Sequence, residues 1–169
     1  MLRQVLFWFD VAGPITPFLP GISPVFIWEL QGPQQAVYGF PAIDGPHGGV
    51  KIATQQYERT TTPDTMNREV SAEETAAMYE NYVAPYLPGL SGKCLKAVAC
   101  LYTVTPDAGF VIDFHPDSHR VIVASPCSGH GFKHSAAIGE ALAELAIHGK
   151  TRHDVGAFSF ARFGNLSGA

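Results

Sequence analysis

Short apolar segments separated by glycine and proline dominate the chain, a pattern typical of a protein built mainly from strands. The predicted strands cover, in chain order, residues 2–9, 25–30, 35–40, 50–53, 97–103, 110–114 and 121–124. A further apolar stretch, residues 158–163, predicts an edge strand. The turn Gln31-Gly32-Pro33 predicts a hairpin over residues 25–40, and a second hairpin is expected over residues 110–124. We expect both hairpins to lie in one sheet.

Two helices interrupt the strand pattern. Ser71 and Glu74 have the spacing of a capping box, and the helix that they open is expected to end near Val83 because prolines follow. A second helix is predicted over residues 131–148, and Gly149 is placed to cap its C-terminus. One stripe of this second helix is apolar and consists of Ile138, Ala141, Leu142, Leu145 and Ala146.

The order of these elements predicts an α+β fold. Strands dominate and the helices lie between and after them, so we expect a largely antiparallel sheet with two main helices, in a single domain over residues 1–169. If Ile138, Leu142 and Leu145 pack on the sheet, Leu142→Ala is expected to cost roughly 2–5 kcal/mol. No Gly-x-Gly-x-x-Gly opens a βαβ unit, so we expect no cradle for a dinucleotide pyrophosphate.

Composition and charge exclude several classes of partner. The formal net charge is −4, which excludes an obvious nucleic-acid binder because such proteins need a basic surface excess. No apolar run approaches the ~20 residues that span a bilayer, so we expect no membrane segment. The three cysteines are too few, and odd in number, for a disulfide framework. These features predict a protein of a reducing compartment, the cytoplasm.

A glycine-rich segment at residues 128–133 joins the last predicted hairpin to the second helix. Glycines let backbone N–H groups approach a ligand closely, and the start of a helix carries partial positive charge. Lys133 is electrostatically unfavourable there, since cations stabilise the other end of a helix, and its position favours an anionic ligand. The alternative is a turn that needs glycine, followed by a solvated lysine.

Single residues in the predicted strands also have two interpretations each. Cys100 is either a small core residue or a thiol that bonds covalently to a cofactor. Lys51 either points to solvent, as strand alternation suggests, or lies buried near an electron-accepting cofactor or O2.

His130 and His134 have the spacing of two metal ligands on one helix face. Gly131, however, stands where a zinc protease motif has its general-base glutamate, so we expect no metal site.

Five segments, in order and with matching spacing, resemble the C-terminal half of the monomeric sarcosine oxidase and N-methyltryptophan oxidase family of flavoenzymes. They are Tyr38-Gly39-Phe40-Pro41, Gly49-Val50-Lys51, Cys100-Leu101-Tyr102-Thr103, Ser128 through Lys133, and Gly149-Lys150-Thr151-Arg152-His153-Asp154. The resemblance covers about residues 3 to 163 and implies the substrate-side and C-terminal portion of a flavin amine oxidase fold. This family oxidises N-methyl or secondary amines by hydride transfer to FAD, and O2 then reoxidises the flavin and becomes H2O2.

The resemblance also implies roles for individual residues. Lys51 resembles the lysine beside the flavin that promotes O2 reduction, and Lys133 resembles the lysine that pairs with the substrate carboxylate. Cys100 resembles the cysteine bonded covalently to the flavin, and Tyr38 and Tyr102 resemble tyrosines of the substrate pocket. Together with Cys100, the implied flavin-binding residues are Gly129, His130, Gly131, Phe132 and Lys133. We expect Lys51, Cys100, Tyr102 and Lys133 to face one concave surface.

The dinucleotide-binding half of that family is expected to be absent from this chain. We therefore expect the chain alone to hold no FAD, to keep Cys100 as a free thiol and to be inactive. In the complete protein, a small secondary-amine amino acid and O2 are the expected reactants and the FAD-binding half is the expected partner. Exposed apolar surface favours a homodimer of the chain by itself. Two other classes stay open: a non-catalytic binding or assembly module that retains the sheet, and a small histidine-based metalloprotein.

Overall fold

The computed structural model describes residues 1–30 and 35–164. The chain divides into two compact units, Met1–Leu101 and Tyr102–Ala169. The single-domain organisation expected from the sequence stays a prediction. Within the described ranges, none of the helices has the length and apolar character needed to cross a membrane.

A five-stranded sheet forms the first unit. Its strands are β1 (Leu2–Val11), β2 (Phe26–Glu29), β3 (Ala36–Phe40), β4 (Val50–Thr54) and β5 (Leu90–Tyr102), in the spatial order β2-β3-β4-β1-β5. The pairs β2–β3, β3–β4 and β4–β1 are antiparallel. The hairpin predicted over residues 25–40 is thereby confirmed in its two strands, while its turn at residues 31–33 lies outside the described residues.

One helix, α1 (Ala72–Met78), opens with the predicted capping box. The backbone N–H of Glu74 donates to Ser71 Oγ at 3.2 Å, and the N–H of Ser71 donates to the Glu74 carboxylate at 3.1 Å. A π-helical turn, Tyr79–Val83, continues α1 and ends where the sequence predicts. The core of the unit joins one face of the sheet to this helical segment and includes Phe7, Phe9, Val37, Val50, Ile52, Met78 and Val83.

In the second unit, β6 (Val111–His115) and β7 (Ser118–Ser125) form a separate two-stranded antiparallel sheet. The expectation that both hairpins lie in one sheet is therefore wrong. Alternation of apolar and polar residues specifies which side of a strand is buried, but not the sheet edge that the strand joins. Here β6 and β7 contact α2 (Ser135–His148) and the C-terminal turns of their own unit.

The second helix follows the predicted stripe with two differences. A 3₁₀ turn, Phe132–His134, precedes α2, so the regular helix begins later than residue 131. Ala141 and Leu145 are buried, Ile138 and Leu142 are half-buried, and Ala146 is exposed. The predicted cap is confirmed, because Gly149 has a φ of 70° and its N–H donates to the carbonyl of Leu145 at 2.9 Å.

The burial along α2 predicts which leucine matters more for stability. Leu145→Ala is expected to lower the free energy of unfolding by about 2–5 kcal/mol, because only 8% of Leu145 is exposed and truncation leaves a cavity. Leu142→Ala is expected to cost less than Leu145→Ala, since Leu142 is half-buried. Urea unfolding of the 169-residue variants measures both values. A larger loss at Leu142 than at Leu145 would show that the helix is rotated from this phase.

Residues 158–163 are not an edge strand, so that prediction is wrong. They lie in two 3₁₀ turns, Gly156–Phe158 and Phe160–Phe163. Side chains of the second unit hold them there: Asp113 accepts a hydrogen bond from Ser159 Oγ at 2.5 Å and another from the N–H of Phe160 at 3.0 Å. Arg162 pairs with Asp107 at 2.6 Å and holds the pKa of that carboxyl well below its usual range. Because side-chain acceptors engage this segment, its apolar residues do not form a strand ladder.

Candidate functional site

Lys51 stands on β4 between two aromatic residues of the neighbouring strands. It lies directly opposite Phe40 on β3 and Trp8 on β1, and residues opposite one another share a face of the sheet. Its Nζ is 4.9 Å from the centre of the Phe40 ring and 5.5 Å from that of the Trp8 ring. These are cation–π distances. Lys51 is thus half-buried between two rings, on the face opposite the core, rather than fully solvated or fully enclosed.

A second lysine reaches the same tryptophan. Lys96 Nζ lies 4.7 Å from the centre of the Trp8 ring. Within residues 1–30 and 35–164, neither Lys51 nor Lys96 forms an ion pair with a carboxylate. The sequence reasoning missed Trp8, Phe40 and Lys96. Their alternation in the strands indicated a shared face, but the register that places them beside Lys51 is a tertiary property.

Cys100 lies on the same face of the sheet as Lys51. Ala97 on β5 packs against the core, and successive side chains of a strand point to opposite faces of the sheet. Lys96 and Cys100, one and three residues from Ala97, therefore point away from the core. Burial raises the pKa of the Cys100 thiol, and the positive charge of Lys51 partly offsets that rise. Cys100 forms no disulfide. It is therefore a protonated, half-buried thiol within electrostatic range of the lysine.

Tyr38 completes this face of the first unit. It lies two residues before Phe40 on β3 and directly opposite Ala53 on β4, so it shares the face of Lys51. The structure therefore brings Tyr38, Lys51 and Cys100, three of the predicted site residues, to one side of one sheet.

The glycine-rich segment of the second unit is a turn in which a side chain at position 129 or 131 would overlap neighbouring atoms. A Cβ added at Gly131 would lie 1.5 Å from the carbonyl oxygen of Pro126, although Gly131 itself has an ordinary φ of −79°. A Cβ at Gly129 would lie 2.3 Å from the Tyr102 ring, and Gly129 has a φ of 83°. Both glycines are thus required by close approach of their neighbours. Tyr102 is packed directly against this turn.

Hydrogen bonds from the 103–109 loop hold the turn in place. Ser128 is 1% exposed, its N–H donates to the carbonyl of Thr103 at 2.8 Å, and its Oγ donates to the carbonyl of Gly109 at 3.2 Å. The His130 ring stacks on Phe110 with 4.7 Å between ring centres. These contacts fix the backbone that leads into α2.

The two residues that follow the turn project outward. Phe132 is 94% exposed and Lys133 is also exposed. The first turn of α2 contains no acidic residue, and its N-cap residue, His134, makes no side-chain cap. The N–H groups of His134 and Ser135 donate to the carbonyls of Gly131 and Phe132 in the preceding 3₁₀ turn, so the anion site expected at the start of α2 stays a prediction.

His130 and His134 pack against an aromatic ring. His130 and His134 both contact Phe110, by stacking and by an edge-on contact respectively, and His130 Nε2 lies 3.0 Å from the carbonyl oxygen of Ala108. In the described part of the chain, no group of three or more His, Cys, Asp or Glu side chains could hold a metal ion.

The predicted site residues fall into two groups. Tyr38, Lys51 and Cys100 belong to the first unit, while Tyr102 and residues 129–133 belong to the second. Convergence of all of them on one concave surface stays a prediction.

Comparisons with known proteins agree on one class of enzyme. Residues 11–145 match the family model described as DAO, FAD dependent oxidoreductase. The chain is 44% identical over 160 residues to a monomeric sarcosine oxidase of Streptomyces avermitilis, a match that covers 92% of this chain and 40% of that protein. It is 38% identical over 168 residues to an N-methyl-L-tryptophan oxidase of Yersinia pestis, covering 96% of this chain and 42% of that protein.

A solved structure shows a similar fold. NikD, described as an unusual amino acid oxidase essential for nikkomycin biosynthesis, superposes with a TM-score of 0.67 at 16% identity, over 94% of this chain and 41% of NikD. The chain thus spans about two fifths of the length of the relatives it matches.

Proposed function

The chain belongs to the FAD dependent oxidoreductase family, and we propose that it supplies the substrate side of an FAD-dependent oxidase of N-methyl or other secondary amino acids. Similarity to a monomeric sarcosine oxidase and an N-methyl-L-tryptophan oxidase supports this substrate class. The observation that carries the proposal is the sheet face on which Lys51 lies between Phe40 and Trp8, with the Cys100 thiol beside them.

The chemistry of this face fits the ring end of a flavin. It offers an unneutralised ammonium, flat aromatic surface and one half-buried thiol, which suit a planar ring that gains negative charge on reduction. FAD, when bound, would accept two electrons from the amine and pass them to O2. The 169-residue sequence has no Gly-x-Gly-x-x-Gly for the pyrophosphate, so we propose that the chain alone does not retain FAD.

Lys51 would hold a fixed positive charge where O2 is reduced. Its ammonium is flanked by two rings and is only partly hydrated, so its charge acts more strongly on neighbouring groups than it would in bulk water. A preorganised cation stabilises negative charge as that charge develops on O2. The rings orient the ammonium without neutralising it, which an aspartate or glutamate partner would do.

Cys100 would provide the covalent link to the flavin. Because burial raises the pKa of its thiol, only a small fraction is thiolate at neutral pH, and the charge of Lys51 favours that fraction. Attachment is therefore expected to proceed faster as the pH rises.

Lys133 would bind the substrate carboxylate, and Tyr38 and Tyr102 would line the substrate pocket. The Lys133 ammonium is exposed in the 3₁₀ turn before α2, and the first turn of α2 contains no acidic residue that would compete for it. The residues implied to contact the flavin beside it are Gly129, His130, Gly131 and Phe132. Neither glycine of this turn leaves room for a side chain.

A complementation experiment tests the proposal. The chain is coexpressed with the portion of the Streptomyces avermitilis relative that it does not cover, and the assembly is assayed for H2O2 formation with sarcosine and N-methyl-L-tryptophan. After denaturation, the mass of the 169-residue chain is expected to be raised by one FAD. The chain expressed alone is expected to carry no flavin.

Two cysteine variants provide matched controls. Cys100→Ser is expected to lose the covalent flavin, whereas Cys94→Ser, on the same strand, is expected to keep it. Flavin that remains attached in Cys100→Ser would contradict the role of Cys100. A flavin-loaded assembly that forms no H2O2 with any secondary amino acid would contradict the proposed activity.

A further inference from the structure

A row of alternating aromatic and cationic side chains crosses four adjacent strands of the first unit. In spatial order it consists of Phe40 on β3, Lys51 on β4, Trp8 on β1 and Lys96 on β5. The Trp8 ring is therefore approached by two ammonium groups, one from each neighbouring strand. No carboxylate in the described part of the chain pairs with either lysine.

The Lys51 ammonium lies at unequal distances from the two rings beside it. Tryptophan attracts a cation more strongly than phenylalanine does, yet Lys51 Nζ is closer to the Phe40 ring, at 4.9 Å, than to the Trp8 ring, at 5.5 Å. Lys51 lies directly opposite both residues, but a central antiparallel strand forms a hydrogen-bonded pair with one neighbour and a non-hydrogen-bonded pair with the other, so the two backbone separations differ. The flexible four-carbon stem also lets the ammonium adjust between the two rings, so a charge beside the indole influences its position.

Lys96 supplies a charge of this kind. Its Nζ lies 4.7 Å from the Trp8 ring centre, closer than that of Lys51, and like charges that share one ring repel each other. Neither lysine has an ion pair within the described residues, so no carboxylate partner offsets this repulsion. Lys51 is then shifted toward the weaker but unoccupied Phe40 ring.

We propose that Lys96 is a positioning residue, which occupies Trp8 and thereby holds the ammonium of Lys51 against Phe40. The importance of that position for catalysis rests on the proposed function, because Lys51 stabilises negative charge there only if the flavin and O2 meet on this face. The position itself does not depend on a flavin, so it can be measured on the 169-residue chain.

The first test measures the position of Lys51 by NMR of the lysine-labelled chain. Lys96→Met removes the charge and keeps an unbranched stem. In this variant, the ε-methylene protons of Lys51 are expected to shift further upfield, because the ammonium moves onto the larger ring current of the indole. Lys96→Arg keeps the charge and is expected to leave those resonances near their wild-type position.

Lys93→Met is the matched control for loss of a charge from the same strand. Lys93 pairs with Asp10 at 3.0 Å and contacts neither ring, so its removal is expected to leave the Lys51 resonances unchanged. Unchanged Lys51 resonances in Lys96→Met would overturn the proposal. An equal shift in Lys93→Met would also overturn it, since the effect would then be one of net charge.

The second test uses the flavin-loaded assembly. Lys96→Met is expected to slow reoxidation by O2 roughly tenfold while reduction by the amine is unchanged, a smaller loss than the 10²–10³-fold typical of removing a preorganised group. If the NMR shift occurs but reoxidation keeps its rate, Lys96 positions Lys51 as proposed and the catalytic role proposed for Lys51 fails. The two proposals therefore fail by different observations.

Discussion

Gly131→Ala is expected to lower the free energy of unfolding by roughly 3–5 kcal/mol. The added Cβ would lie 1.5 Å from the carbonyl oxygen of Pro126, and backbone cannot move aside as a flexible side chain can. The turn from Pro126 to Gly131 must then open, which breaks its contacts with Tyr102 and the 103–109 loop. Urea unfolding of the 169-residue chain measures the loss.

Gly139→Ala provides the control for this substitution. Gly139 lies inside α2 with no atom within 4 Å of an added Cβ, so alanine there is expected to stabilise the chain by about 0.5–1 kcal/mol. The same chemical change thus has opposite signs at two glycines eight residues apart. A loss of less than about 1 kcal/mol for Gly131→Ala would show that the turn does not have this geometry.

Lys51→Met is expected to slow reoxidation of the reduced, flavin-loaded assembly by roughly 10²–10³-fold, because it removes the fixed charge proposed to stabilise reduced O2. Reduction by the amine is expected to slow much less, since the negative charge that this step adds is spread over the flavin ring, whereas O2 reduction concentrates charge on one small molecule. Stopped-flow absorbance of the flavin separates the two half-reactions.

Lys93→Met tests whether any lysine of the first unit has this effect. Lys93 is exposed and its charge is paired with Asp10, so both half-reactions are expected to keep their rates. If Lys51→Met and Lys93→Met behave alike while the flavin stays bound, the role proposed for Lys51 is wrong.

Local features were predictable because short-range contacts determine them. The capping box of Ser71 and Glu74 and the left-handed cap at Gly149 depend on residues within a few positions of each other, and both are confirmed. Alternation similarly located the strands of both hairpins. The α+β fold and the flavoenzyme family followed from the order of elements and motifs along the chain.

Two of the predictions were wrong for the same reason, because contacts between residues distant in sequence decided the structure. Residues 158–163 have the apolar composition of a strand, but Asp113 and Asp107 bind this segment from about 50 positions away in sequence and hold it in 3₁₀ turns. The second hairpin has the alternation of a strand pair, but that pattern does not say which sheet it joins. Neither outcome depends on residues near the segment itself.

The sequence by itself determined the family, the secondary structure of most segments and, as candidates, the site residues Tyr38, Lys51 and Cys100, because motifs and periodicity are local. Only the tertiary structure decided the surroundings of those residues. Strand register placed Lys51 between Phe40 and Trp8 and brought Lys96 to the same indole, although these residues come from four strands. Register is set by pairing between distant segments, and a slip of one residue would move every side chain to the other face. The arrangement of Lys51 and the aromatic side chains around it is therefore a property of the fold rather than of any one motif.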